Sequence, residues 1–235
     1  DKFGTDGTVT LSDATTKTLH FTDKTVQSTW FTHAAAVPIA QFDSLVDLYI
    51  ASFNRAPDAL GLDYWASRMY EGMSLVDIAA SFFVQPETIA KYPATMSTQT
   101  FVNTVYGNVL GRAPDTPGFN YWVHELQTGS IAKNLFLLAI INGAYAPTGS
   151  LNDAIYLQNK ERIGEQFAIV QGLNNTDVAK NVMVGLNGSL QSYNNAKAIV
   201  DSYAAIAATP ANSEFVVKLV GVAHTGIVVA GVSDG

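Results

Sequence analysis

The pattern Tyr49…Arg55-Ala56-Pro57-Asp58-x-x-Gly61-Leu62-Asp63-Tyr64-Trp65…Gly72 returns 57 residues later, without a gap over 24 positions, as Tyr106…Arg112-Ala113-Pro114-Asp115-x-x-Gly118-Phe119-Asn120-Tyr121-Trp122…Gly129. An ungapped internal repeat of this length demands one supersecondary unit built twice, so any fold must give both copies the same local geometry. The residue types specify what that unit is. Phe42, Leu45, Val46, Tyr49, Ile50 and Phe53 form one apolar stripe at helical spacing. Pro57 cannot continue that helix, and Asp58 can cap a new one whose apolar side carries Leu62, Trp65 and Met69. Each copy therefore reads as a helix–turn–helix corner, with Arg55 and Asp58, or Arg112 and Asp115, placed three apart to bind each other or the exposed helix end. Gly61 and Gly118 fall in the first turn of the second helix, where lack of a side chain permits close approach to the helix before it.

Around the repeat the patterning changes. Residues 1–33 are rich in Thr and alternate, as in Thr8-Val9-Thr10-Leu11 and Thr18-Leu19-His20-Phe21-Thr22, which predicts two short strands or a hairpin. Ser74, with Asp77 three residues on, starts a third helix, and Gln85-Pro86-Glu87 closes that unit. The equivalent helix of the second copy, Ile131 to Ile141, aligns less well. Helical spacing resumes over 151–170 and ends at Gly172. Asn174-Asn175-Thr176-Asp177 caps a helix to about Val184, and Asn194-Asn195 caps another through Ala208. Residues 215–232 fit either a strand or a buried helix. The expected architecture is a mainly α helical bundle of two repeated helix–turn–helix units with short β segments at the ends. Its expected divisions are 1–38 (hairpin-like), 39–92 and 93–147 (the repeats), 148–209 (further helices) and 210–235 (strand-like or buried).

Composition narrows the function. Thirteen Lys and Arg against 20 Asp and Glu give a net charge of -7, and phosphate binding needs clustered basic residues, so no nucleic-acid partner is expected. Without cysteine there is neither a disulfide scaffold nor a thiolate metal site. Phe215 to Val232, the most apolar long stretch, is interrupted by Lys218, His224 and glycines, so no transmembrane span is expected. His20, His33, His124 and His224 are too far apart for paired ligands at helical spacing, and the nucleophile-elbow, dinucleotide and phosphate-loop motifs are missing. His124-Glu125 reads as a solvated helix pair. The chain is expected to be no enzyme and to need no cofactor, with a weak calcium site at Gly4-Thr5-Asp6-Gly7 left open.

Candidate site residues come from the repeat. Trp65 and Trp122 share a face with Leu62/Phe119 and Met69/Leu126, which favours the core over ligand stacking. Tyr64 and Tyr121, with Asp63 and Asn120, point to another side of the helix. Aromatic rings beside carboxylates and amides can bind sugars by stacking and hydrogen bonding, so these four are the candidate glycan-binding residues. Arg55, Pro57, Asp58, Gly61, Trp65, Arg112, Pro114, Asp115, Gly118 and Trp122 make up the structural motif.

The run from Leu45 to Trp65 closely resembles the DUF4214 family of bacterial extracellular proteins, and Tyr106 to Trp122 carries the same signature. Asp153 to Lys160 resembles the helix that often follows it, and Leu19 to Thr25 the strand that can precede it. The resemblance implies a secreted or surface-layer setting, often with export by type I systems. It further implies a non-catalytic module that attaches its protein to the cell surface through lipopolysaccharide or another surface glycan. The competing expectation is a structural subunit that pairs with copies of itself through its terminal strands into a layer or filament.

Overall fold

The computed structural model describes residues 18–20, 25–209 and 216. The chain is mainly helical, and among the described residues its only strands are β1 (Thr18–His20) and β2 (Thr25–Gln27), paired antiparallel with Leu19 opposite Val26. The strand reading of the N-terminal region stops there. Trp30 to His33 lie in a helix, α1 (Ser28–Ala36), which packs on the first repeat and is anchored there by Trp30 and His33. Ser28 to His33 have weak helix propensity, so the packing decides their structure, while Ala34 to Ala36 favour the helix on their own. The proposed Gly4-to-Gly7 loop and all of 215–232 except Val216 lie outside the described residues.

The first repeat comprises α2 (Ile39–Phe53), α3 (Ala59–Tyr70), α4 (Leu75–Phe83) and the short α5 (Pro86–Lys91). The second contains α6 (Thr98–Leu110), α7 (Thr116–Thr128) and α8 (Lys133–Tyr145). They are followed by α9 (Leu151–Glu165), a π-helical turn at Gln166–Val170, α10 (Thr176–Asn181) and α11 (Leu190–Ala207). Several starts and stops follow local chemistry that differs from the sequence reading. α2 ends at Asn54 and α6 at Gly111, one repeat apart, and both caps are left-handed, with φ 46° and 68°. The helix is thus stopped three residues before the proline, by the residue types that tolerate that conformation. Pro86 opens α5 from its first position instead of closing the unit, because that position has no need of an N–H. Ser189, whose hydroxyl accepts the Ser192 N–H, caps α11, which leaves Asn194 and Asn195 in its interior.

Two apolar cores result. One joins α2, α3 and α4 to the π-helical turn, α10 and α11; the other is formed by α6 and α8 with Phe119 and Trp122 of α7 at its edge. The α9 helix serves both, with Ile163 in the first core and Leu157 in the second. Its contact with α2 is made through Gly164: a Cβ there would stand 3.0 Å from Pro57 Cδ, 3.1 Å from Ile50 Cδ1 and 3.4 Å from Val46 Cγ1. No single described helix is long and apolar enough to cross a membrane, and the apolar pair α1–α2 bends by 116°.

Candidate functional site

Both corners share a backbone scheme. Asp58 accepts the Gly61 N–H at 3.0 Å, and Asp115 accepts the Gly118 N–H at 2.7 Å. Arg55 Nη1 donates to its neighbour Ala56 O, as Arg112 Nη1 does to Ala113 O. Each guanidinium lies over the ring of the repeat's tyrosine, 5.3 Å from Tyr49 and 5.5 Å from Tyr106. The glycine permits the expected close approach to the helix before it, at the tyrosine hydroxyl of that helix, and also makes room for the cap. A Cβ on Gly61 would lie 2.7 Å from both Asp58 Oδ2 and Tyr49 Oη, so the position is kept bare for the capping carboxylate and its tyrosine. On Gly118 the nearest atoms are Asp115 Oδ1 at 3.0 Å and Tyr106 Oη at 3.4 Å. Gly61→Ala is therefore expected to cost about 1–3 kcal/mol by overpacking, and Gly118→Ala less; urea unfolding of the two variants checks the order.

Beyond the backbone the corners diverge. Arg55 is buried and holds four groups at once: Glu87 through Nε, Asp58 and Ala56 O through Nη1, and the Tyr49 hydroxyl through Nη2. Tyr49 closes the ring by donating to Asp58 Oδ1 at 2.6 Å. Burial and the neighbouring carboxylate push the Tyr49 hydroxyl well above its ordinary range, so it stays a donor. α10 and the segment before it then seal this corner, as Ala56 N donates to Ala179 O, Ala59 N to Leu173 O and Leu60 N to Asn174 Oδ1. In the second copy Arg112 turns away from its own aspartate to a fork on Asp153 of α9, at 2.7 and 2.6 Å. Tyr106 Oη accepts from Trp122 Nε1 at 3.1 Å. Among the described residues no segment seals this corner as the first is sealed, and Arg112, Ala113, Asp115, Asn120 and Tyr121 are exposed.

The four candidate glycan residues are consequently not equivalent. Tyr64 is half-buried, edge-on to Trp30 at 5.2 Å and to Trp65 at 5.0 Å, so α1 occupies the face that the sequence left free. Asp63 beside it is desolvated, which raises its carboxyl to about 7. Tyr121 is 55% exposed, with Asn120 exposed next to it and Trp122 edge-on at 4.8 Å behind. Trp65 and Trp122 are half-buried at the rims of the two cores, against Phe82 and Phe136 respectively. Position 64 is a packing residue; position 121 is the free one.

The family model for DUF4214, described as a domain of unknown function, matches residues 79–144. Those residues are similar to the DUF4214 domain. No curated protein and no solved structure matches the chain. The DUF4214 match starts inside α4 and ends within α8, so it takes in the second corner, with Arg112, Asp115, Asn120, Tyr121 and Trp122, while the first corner lies before it. The exposed aromatic thus lies within the matched stretch.

A second polar cluster was not anticipated from the sequence. Asp43 and Asp47, one turn apart on α2, face Glu161 and Glu165, one turn apart on α9. One carboxylate oxygen each from Asp43, Glu161 and Glu165 can be chosen so that all lie within 4.8 Å of one another. The available signal was two i, i+4 carboxylate pairs, with Asp47 set inside an otherwise apolar run. Only the α2–α9 contact at Gly164 brings the pairs together.

Proposed function

We propose that the chain is a non-catalytic binding module of an extracellular bacterial protein, and that the uncovered second corner attaches it to lipopolysaccharide or another surface glycan. The observation that carries this reading is the pair Asn120–Tyr121. An exposed aromatic ring and an amide sit side by side on a helix whose neighbouring residue, Trp122, is fixed by a hydrogen bond to Tyr106. Such a ring offers an apolar face to a sugar while the amide supplies a donor and an acceptor, and little side-chain freedom is lost because the helix is already anchored. The Arg112 guanidinium, partly exposed on its fork with Asp153, adds a positive edge suited to the acidic groups of such polymers. The resemblance read from the motif points to the same class of ligand.

The expected result is that Tyr121→Ala weakens binding to purified outer-membrane polysaccharide about tenfold, equivalent to roughly 1.4 kcal/mol, with helical content unchanged. Tyr64→Ala should instead lower the thermal midpoint and leave affinity intact at temperatures where it is folded. Isothermal titration beside circular dichroism separates the two. A folded Tyr121→Ala protein that binds as tightly as the parent removes this corner from the site. Polysaccharide-independent polymers of the parent chain would favour the self-assembly reading.

A further inference from the structure

Neither the corners nor the glycan reading uses the carboxylates between α2 and α9. Helix α9 is held there from both ends: Asp153 grips Arg112 near its start, and Gly164 lies against Val46, Ile50 and Pro57 near its end. Glu161 and Glu165, three residues before and one after that glycine, share its face and are pressed towards Asp43 and Asp47. Glu165 and Asp47 are buried, at 6% and 4% exposure, while Asp43 and Glu161 are only half-buried and open the cluster to water.

Two independent facts distinguish this from a chance gathering of acids. First, oxygens of Asp43, Glu161 and Glu165 within 4.8 Å of one another can all ligate one ion, since two oxygens on opposite sides of a calcium ion with bonds of roughly 2.3–2.6 Å lie about that far apart. Second, the buried Asp47 has one oxygen, Oδ1, without any hydrogen-bond partner. Asp47 belongs to the same cluster. It stands one turn along from Asp43, the charges of Asp43, Glu161 and Glu165 act on it, and the Tyr145 hydroxyl within 3.3 Å of Glu161 Oε2 is also its own hydrogen-bond partner. A buried acceptor with nothing to accept is costly, and so is repulsion among four carboxylates.

The nearby positive charges do not balance it. Two cations stand against the four acids: buried Lys160, which donates to Asn108 O of α6 at 2.5 Å and whose charge is coupled to Asp47, and Arg162, which is exposed at the edge.

We propose that this seam is a divalent-cation site for calcium, with Asp43, Glu161 and Glu165 as ligands and Asp47 as a fourth carboxylate behind them. An all-oxygen donor set suits a hard cation rather than zinc or copper. Several carboxylates around one ion favour calcium over magnesium, which keeps most of its waters. The half-exposed side supplies an entry path and room for water ligands. Because the ligands come from a helix of the first repeat and one following the second, the ion would clamp the helix that joins the two cores.

The test is thermal unfolding and isothermal titration of the full chain, stripped with chelator and then titrated with calcium, magnesium or manganese chloride. Calcium a hundredfold above its Kd is expected to raise Tm by about 5–10 °C, magnesium by less. Glu161→Gln/Glu165→Gln, which keeps shape and hydrogen-bonding capacity, should fold without calcium and lose at least nine-tenths of the response. The partly exposed Asp43→Asn, which risks little in folding, should weaken calcium binding about tenfold or more. No calcium response of the parent up to millimolar concentration overturns the proposal. So does an undiminished response in Asp43→Asn, which would place the ion elsewhere.

Discussion

Arg55→Met is expected to lower stability by about 3–5 kcal/mol, whereas Arg112→Met, at the same position of the repeat, costs about 1–2 kcal/mol. The difference lies in what each guanidinium leaves behind. Around Arg55 (5% exposed) removal strands the capping Asp58, the Tyr49 hydroxyl and Glu87 at once. Asp58 also caps α3, so its misplacement spreads to the helix start. Around Arg112, whose side chain is 42% exposed, solvent already reaches the guanidinium and Asp115 keeps its own bond to the Gly118 N–H, so a single group, the buried Asp153, is left without its partner. Chemical denaturation of the two single variants checks this, and equal losses would show that the corners are energetically alike despite the cover over the first.

The second large effect is on pH. In chelator-containing buffer the protein is expected to lose on the order of 3–5 kcal/mol between pH 5.5 and 8.0, roughly 10 °C in Tm. Burial, aided by the neighbouring carboxylates, raises Glu165 from 4.5 to about 8 and Glu161 from 4.5 to about 7, and it drives Asp47 well above and Asp43 above the ordinary carboxylate range. A folded state that holds protons the unfolded chain has released is stabilised by them. That contribution is complete below about pH 4.5 and disappears as pH climbs through 7 and 8. The Tyr145 hydroxyl, pushed far upward by burial and these acids, stays protonated throughout. Arg162 offsets the acids only from the exposed edge. Lys160, lowered to about 8 by burial, acts in the opposite sense, but only as pH reaches and passes 8. Glu165→Gln should flatten most of the slope while Glu125→Gln on α7, outside the cluster, leaves it. A pH-independent midpoint in the parent would mean that the acids are hydrated rather than sealed between the helices.

Much of this molecule is legible in its sequence, and the legible part has a common cause. The Arg-Ala-Pro-Asp corner, the Asp58 and Asp115 caps, the Ser74 and Asn175 caps and the stops at Gly72 and Gly172 are all set by bonds or backbone preferences within a few residues of chain. Because the repeat copies those residues, it copies the backbone of the corner too. Asn54 and Gly111 are equally local, yet the proline three residues on draws the expected boundary to itself. The equivalence of Tyr64 and Tyr121 fails for a different reason. Periodicity places both off the apolar stripe, but it contains nothing about α1, whose Trp30 arrives from another part of the chain to cover one and leave the other in water. The same holds for Arg55 and Arg112, alike in sequence until the segment from Leu173 to Ala179 folds over the first and, among the described residues, nothing does so over the second. Asp43, Asp47, Glu161 and Glu165 are separated by more than a hundred residues of chain, and each pair by itself is an ordinary helix decoration. Sequence alone determined what adjacent residues can do to one backbone. Which side chains lose their water, and which charges must share one dry seam, was decided by helices brought together at Gly164, because desolvation and repulsion depend on distance in space and not along the chain.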